Sequence, residues 1–147
     1  MQQANSIIIN ASREKIFALT SDLNNWLELL PHYRSIEFLG EQNGHHLVKM
    51  AAVRSGIPIS WVSEQWAEPD NFEIHFLHLK AWTKGMKVVW TMAPVAEGGV
   101  RVEIHHDLKF RVPALSPALE PIIGGFFIHY IANQTLRCFK EHLETFA

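Results

Sequence analysis

Downstream of Gly98-Gly99 the chain alternates without a break: Val100, Val102, Ile104, His106, Leu108 and Phe110 fall on one side, and Arg101, Glu103, His105, Asp107, Lys109 and Arg111 on the other. A strand of this kind has one wet face and one that another layer must cover. Reversal signals precede it at Asn43-Gly44, Ser55-Gly56, Pro69-Asp70 and Gly98-Gly99. Extended segments over 37–39, 47–53, 57–67, 72–79 and 86–95 lie between these turns, so six strands follow one another as an antiparallel meander.

The cover comes from the end of the chain. Pro113 and Pro117 lead into a helical segment that starts near Glu120 and runs to about Phe146. Its second half sets Ala132, Leu136, Phe139 and Leu143 against Asn133, Arg137, Lys140, Glu141 and Glu144, an amphipathic pattern. At the other end, 6–9 reads as a short strand, and Ser12 caps a helix with Glu14 in its first turn. Asp22 caps again, and Leu23, Trp26, Leu27 and Leu30 keep helical spacing up to Pro31. The expectation is an α+β chain: a seven-stranded antiparallel sheet around a long C-terminal helix, with two short helices after the first strand. At 147 residues one domain spanning 1–147 suffices.

That order, together with Asn5-Ser6-Ile7-Ile8-Ile9-Asn10-Ala11, Asp22-Leu23-Asn24-Asn25-Trp26, Pro31-His32-Tyr33, Trp61-Val62-Ser63, Pro69-Asp70, Trp90, Gly98-Gly99 and a helix ending at Glu144, resembles the START-like superfamily (Bet v 1-like, SRPBCC). The polyketide cyclase/dehydrase and coenzyme Q-binding START-like branch is the nearest in look. The resemblance implies a helix-grip fold, a curved sheet holding an apolar ligand against the last helix. In the aromatase/cyclases of this superfamily it implies pocket residues at Trp26, Tyr33, Trp61, Ser63 and Gln65. Those enzymes carry an arginine at the last position, and Gln65 offers hydrogen bonds without a fixed charge. The change favours binding over catalysis, because a cation is the usual stabiliser of a developing enolate.

If Trp61 and Gln65 face inward, Ile59 and Ser63 do too, while Val62, Glu64 and Trp66 face out. In the next strand Phe72, Ile74, Phe76 and His78 share a face, which brings His78 inward, and His106 lies on the dry face of the last strand. Trp26, Tyr33, Trp61, Phe76 and Trp90 then form apolar walls, and Ser63, Gln65, His78 and His106 orient polar ends of a ligand. Two imidazoles beside a cavity make His78 and His106 the catalytic candidates for proton transfer; core histidines bonded to neighbours are the plain alternative.

From Val112 to Ala132 the only charged side chain is Glu120. Extending the helix's inward stripe backward at about 100° per residue brings Gly125, Ile128, His129 and Ala132 inside. Phe126, Phe127 and Tyr130 then fall on other faces. If exposed, they would meet a membrane surface or form a homodimer contact; the alternative is that loops or a kink bury them. Gly124 and Gly125 weaken this stretch, which suits a movable gate.

Other functions are disfavoured by pattern. Thirteen Lys and Arg against fifteen Asp and Glu, with no basic run, argue against nucleic acid. No metal site is expected: His45-His46 and His105-His106 alternate to opposite strand faces, and no H-E-x-x-H spacing occurs. No cofactor motif is present. The lone Cys138 excludes an internal disulfide, no apolar run reaches spanning length, and the first residues lack a signal-peptide pattern, so a cytoplasmic protein, peripheral to membrane at most, is expected. The functional expectation is carriage of a lipid, isoprenoid or quinone, or polyketide-like molecule. The alternatives are a polyketide aromatase/cyclase and a lipid- or partner-binding regulatory module.

Overall fold

The computed structural model describes residues 1–109 and 113–146, so Phe110 and Arg111, the end of the alternating run, lie outside the described residues. Strand β1 (Gln2–Ile9) leads into α1 (Arg13–Ser21) and α2 (Trp26–Leu29). The meander is β2 (Tyr33–Gln42), β3 (His45–Arg54), β4 (Ile57–Glu68), β5 (Glu73–His78), β6 (Lys87–Pro94) and β7 (Val100–Asp107). Among the described residues four helical pieces follow β7: a 3₁₀ turn (Pro113–Leu115), α3 (Ser116–Glu120), a π-helical segment (Pro121–His129) and α4 (Tyr130–Phe146). The seven strands form one antiparallel sheet in the order β1-β7-β6-β5-β4-β3-β2, and α4 lies along its concave face, the helix-grip arrangement.

Local chemistry sets the joints. Ser12 Oγ accepts from the Lys15 amide at 3.2 Å and starts α1, and Asp22 accepts from the Asn24 amide at 3.0 Å to start the turn into α2. Asn43 and Gly44 have φ of 56° and 77°, and Ser55 and Gly56 have 51° and 79°, the left-handed pairs that a tight primed hairpin turn requires. Strands β1 and β2 are longer than their apolar patterns. Ladder bonds carry the polar ends along: Gln2, Gln3 and Ala4 pair with Asp107, His106 and His105. Register shifts between Tyr33 and Ser35 and between Phe38 and Gly40 bend β2 along the sheet edge. The C-terminal helical stretch begins at Ser116, ahead of the expected start near Glu120, with Pro117 in its first turn.

The core fills the space between sheet and α4. Val48, Met50 and Ala52 of β3, Ile74 and Phe76 of β5, Val88, Trp90 and Met92 of β6, and Val102 and Ile104 of β7 face Ala132, Leu136, Phe139 and Leu143. Phe139, wholly buried, meets Trp26 at 5.8 Å and Trp90 at 6.1 Å between ring centroids. Truncating it removes the bulkiest helix side chain from this interface. Phe139→Ala is expected to lower the unfolding free energy by about 3–5 kcal/mol, as measured by urea denaturation.

Candidate functional site

Toward one end of the helix the packing stops short of full contact and encloses a cavity of about 80 Å³. On the sheet side Trp61, Phe76, His78, Trp90 and His106 line it, with Met50, Ile59, Val88 and Ile104 between them. Trp26 and Tyr33 close one side, and Thr83 and Met86 reach in from the β5–β6 connection. The helix contributes Phe127, Ile128, Ile131, Ala132 and Thr135. Within this lining only Ile59, Trp61, Thr83 and Phe127 are half-buried and the rest are buried, so these four mark the mouth. It lies between the start of β4, the β5–β6 connection and the π-helical segment.

Of the residues that sequence singled out, Trp26, Tyr33, Trp61, Phe76, His78, Trp90, His106 and Ile128 are thus brought together around one space. Ser63 and Gln65 do face inward, but packing covers them and they are not part of the lining. Ser63 stands between Val48 of β3 and His78 of β5, and its hydroxyl has no hydrogen-bond partner among the described residues. His129 is a correction. It is exposed and away from the cavity, held by Asn5 Nδ2 at 3.1 Å from its Nδ1 and by Asn133 Nδ2 at 3.0 Å from its Nε2. Gly125 is exposed as well.

The physical reason is the π-helix. A wider i→i+5 turn advances each residue by a smaller angle, so a stripe traced backward at the α-helical angle loses phase. Gly124-Gly125 stiffens the backbone little. From β1, in the amide orientation that satisfies both of its ends, Gln3 donates to the Gly124 carbonyl and accepts from the His129 amide, each at 3.2 Å. These are the two ends of one i→i+5 bond, so the Gln3 side chain stands inside the helix ladder.

The aromatic face of this segment is not the open patch that the alternation of faces allowed. Phe127 turns into the cavity, and Phe126 and Tyr130 are half-buried under Arg54 from the end of β3. The Arg54 guanidinium lies 4.2 Å from the Phe126 ring centre and 4.7 Å from that of Tyr130, and Nη1 donates to the Phe126 carbonyl at 2.6 Å. Arg54 therefore ties the β3–β4 hairpin to the helix beside the mouth. No local pattern marks it in sequence; nor does any mark Thr83 and Thr135.

No Lys, Arg, Asp or Glu is found among the described lining residues. Burial pushes the His78 imidazole down to about 3, helped by nearby His106, and pushes His106 down to about 4, helped by the adjacent His105. Both are uncharged at neutral pH. His78 Nδ1 is 2.9 Å from Thr83 Oγ1 and its ring stacks on Trp61 at 5.9 Å, while His106 Nδ1 has no partner among the described residues. A second polar group stands at the helix. Thr135 donates to the Ile131 carbonyl at 2.7 Å and so accepts from His32 Nε2 at 2.8 Å, and it also interacts with the Tyr33 hydroxyl. Burial lowers His32 to about 4 against a bond with the Ile131 backbone, and raises Tyr33 above its ordinary value. Neutral imidazoles can accept a proton or a hydrogen bond, and the apolar walls can hold a hydrocarbon body.

The family model for polyketide cyclase / dehydrase and lipid transport matches residues 9–132, which takes in strands β2 to β7, the mouth and most of the helix-side lining. The chain belongs to that family. This member of the cyclase/dehydrase and lipid transport family shares its fold with a Thermus thermophilus protein at 18% identity and a TM-score of 0.80, over 98% of this chain and 97% of that one. It is similar to the Zhui aromatase/cyclase of Streptomyces sp. R1128 at 15% identity and a TM-score of 0.79, over 98% and 93% of the two chains. A START superfamily protein of Mycobacterium smegmatis matches at 13% identity and a TM-score of 0.75, over 99% of each. No helix among the described residues is long and apolar enough to cross a membrane. Among the described residues, Glu68, Glu73 and His75 are a group with metal-ligand spacing, on the outer sheet face and remote from the cavity. The imidazole Nε2 lies 2.8 and 3.0 Å from the two carboxylates, the geometry of an ion pair once His75 is protonated.

Two outcomes follow for this cyclase/dehydrase family member. His32, His78 and His106 sit far below the ordinary imidazole value of about 6.5 in the fold, so the unfolded chain binds more protons as pH falls below that value. Stability is full above about pH 6.5 and drops toward pH 4, each group adding a slope of up to about 1.4 kcal/mol per pH unit. Urea midpoints across this range should show the decline, and His106→Leu should make it shallower. Arg54→Ala, by freeing Phe126 and Tyr130, is expected to raise amide hydrogen exchange at least tenfold over 121–130 while leaving that of β6 and β7 unchanged.

Proposed function

We propose that this protein binds and carries an apolar small molecule, lipid, isoprenoid or polyketide-like, between its sheet and its C-terminal helix. The observation that carries this reading is the unfilled space ringed by Trp26, Trp61, Phe76 and Trp90 between sheet and helix. Burying a ligand's apolar surface there contributes about 25 cal/mol per Å². The described cavity is smaller than the roughly 300–1,000 Å³ usual for ligand sites, so uptake requires the walls at the mouth to part. The π-helical segment, carrying Gly124-Gly125 and held by Gln3 and Arg54, is the wall suited to that movement.

A second reading, aromatase/cyclase activity on a poly-β-keto chain, draws on the two neutral imidazoles of His78 and His106, either of which could take a proton from an activated methylene. The lack of a fixed cation among the described lining residues leaves a developing enolate without its usual stabiliser, so carriage is preferred. On the outside, Ile57 at the start of β4 and Ile122 of the π-helical segment are exposed on two of the elements that form the mouth. They support a membrane contact through which the ligand enters, in place of the expected face of Phe126, Phe127 and Tyr130.

Native mass spectrometry of the purified protein, followed by solvent extraction, is expected to reveal a copurifying molecule of a few hundred daltons. Ala132→Leu, which fills the cavity from the helix side, should abolish it. A protein that carries nothing and does not bind the neutral dye Nile red would count against carriage. In liposome flotation the wild type should rise with the lipid and Ile122→Asp should stay behind; a wild type that dimerises without floating would assign this surface to self-association instead.

A further inference from the structure

Resting on the reading of the cavity as a ligand site, we propose that its ligand is uncharged, with an apolar body and a single hydroxyl or carbonyl end held by His78, Thr83 and His106. Three observations lead there. First, the described lining holds no fixed charge of either sign, so an ionised head group would be stripped of water and meet no counter-ion. Second, the polar lining groups differ in what they have left to offer. Thr135 is spent on the Ile131 carbonyl, His32 and Tyr33. Among the described residues His106 Nδ1 has no partner and the Thr83 hydroxyl bonds only His78, which leaves it unused capacity. Third, position fixes orientation. Thr83 stands on the rim of the cavity, whereas Trp26 and Trp90 are deep within it. The polar end therefore lies toward the mouth and the hydrocarbon toward Trp26.

An imidazole and a hydroxyl can each donate or accept, so they pair equally with an alcohol, a phenol or a ketone. Burial keeps both imidazoles uncharged at neutral pH, so neither replaces a missing cation. The class excluded is the free carboxylate or ammonium of an ionised amphiphile.

The test is competition against Nile red bound to the full chain at pH 7.5, using one ten-carbon chain with four ends: decane, decanol, decanoate and decylammonium. Decanol is expected to displace the dye at a concentration at least tenfold lower than either ion, and several-fold lower than decane. Thr83→Val and His106→Phe, each confirmed as folded by tryptophan emission, should lose the preference for decanol over decane, the ratio of the two competing concentrations falling toward one. An ion that competes within threefold of decanol would overturn the neutral-ligand inference. A decanol preference unchanged in both variants would overturn the assignment of the head to this end. Failure of the dye and all four competitors to bind would overturn the ligand-site reading itself, a result distinct from the other two.

Discussion

The indole of Trp26 stands where four elements meet. Its ring centroid is 5.4 Å from that of Tyr33 at the start of β2, 5.9 Å from Phe76 of β5, 5.7 Å from Trp90 of β6 and 5.8 Å from Phe139 of α4. Its Nε1 donates to the Thr20 carbonyl at 3.0 Å, which anchors it to the end of α1. Aromatic contacts of this kind contribute about 0.5–1.5 kcal/mol each beyond the area they bury. They also set the separation of sheet and helix with rigid rings. Past Trp26 the short side chains of Ala132 and Val88 do not fill that separation, and the space left over is the cavity.

The wall over that space is the part of the helix least able to support itself. Pro121–His129 has i→i+5 bonding, two adjacent glycines and a ladder entered by Gln3. What keeps it in place comes from outside: Gln3 and Asn5 of β1 on one side, Arg54 of the β3–β4 hairpin on the other. α4 beyond it is bound by the buried Leu136, Phe139 and Leu143, so the uptake proposed here would move the segment and leave the grip in place. Carriage needs both properties, a fixed floor and a wall that yields.

Polarity inside the cavity is expensive and sparing. Two histidines of the lining, His78 and His106, are buried without a compensating charge, each held neutral by desolvation, and their stability cost appears only on acidification. At neutral pH they act as hydrogen-bonding groups in an apolar enclosure. On the proposed reading, such a site would distinguish ligands by charge and by the position of one polar atom, with affinity drawn mainly from area.

The alternation of β7, the turn pairs Asn43-Gly44 and Ser55-Gly56 and the amphipathic stripe of α4 determine the sheet, its hairpins and its cover, because each is set by near neighbours. Strand parity likewise brought Trp61, Phe76, His78, Trp90 and His106 to the inner face. Three matters were decided only by tertiary structure. Packing from neighbouring strands took Ser63 and Gln65 out of the cavity lining. Gln3, 121 positions before Gly124 in the chain, bonds the Gly124 carbonyl and the His129 amide of the π-helical segment, in which Phe127 lines the cavity and His129 is exposed. Arg54, equally remote, covers Phe126 and Tyr130. Periodicity records which faces of an element are apolar, but a contact between distant residues that changes the helical period leaves no mark in either local pattern.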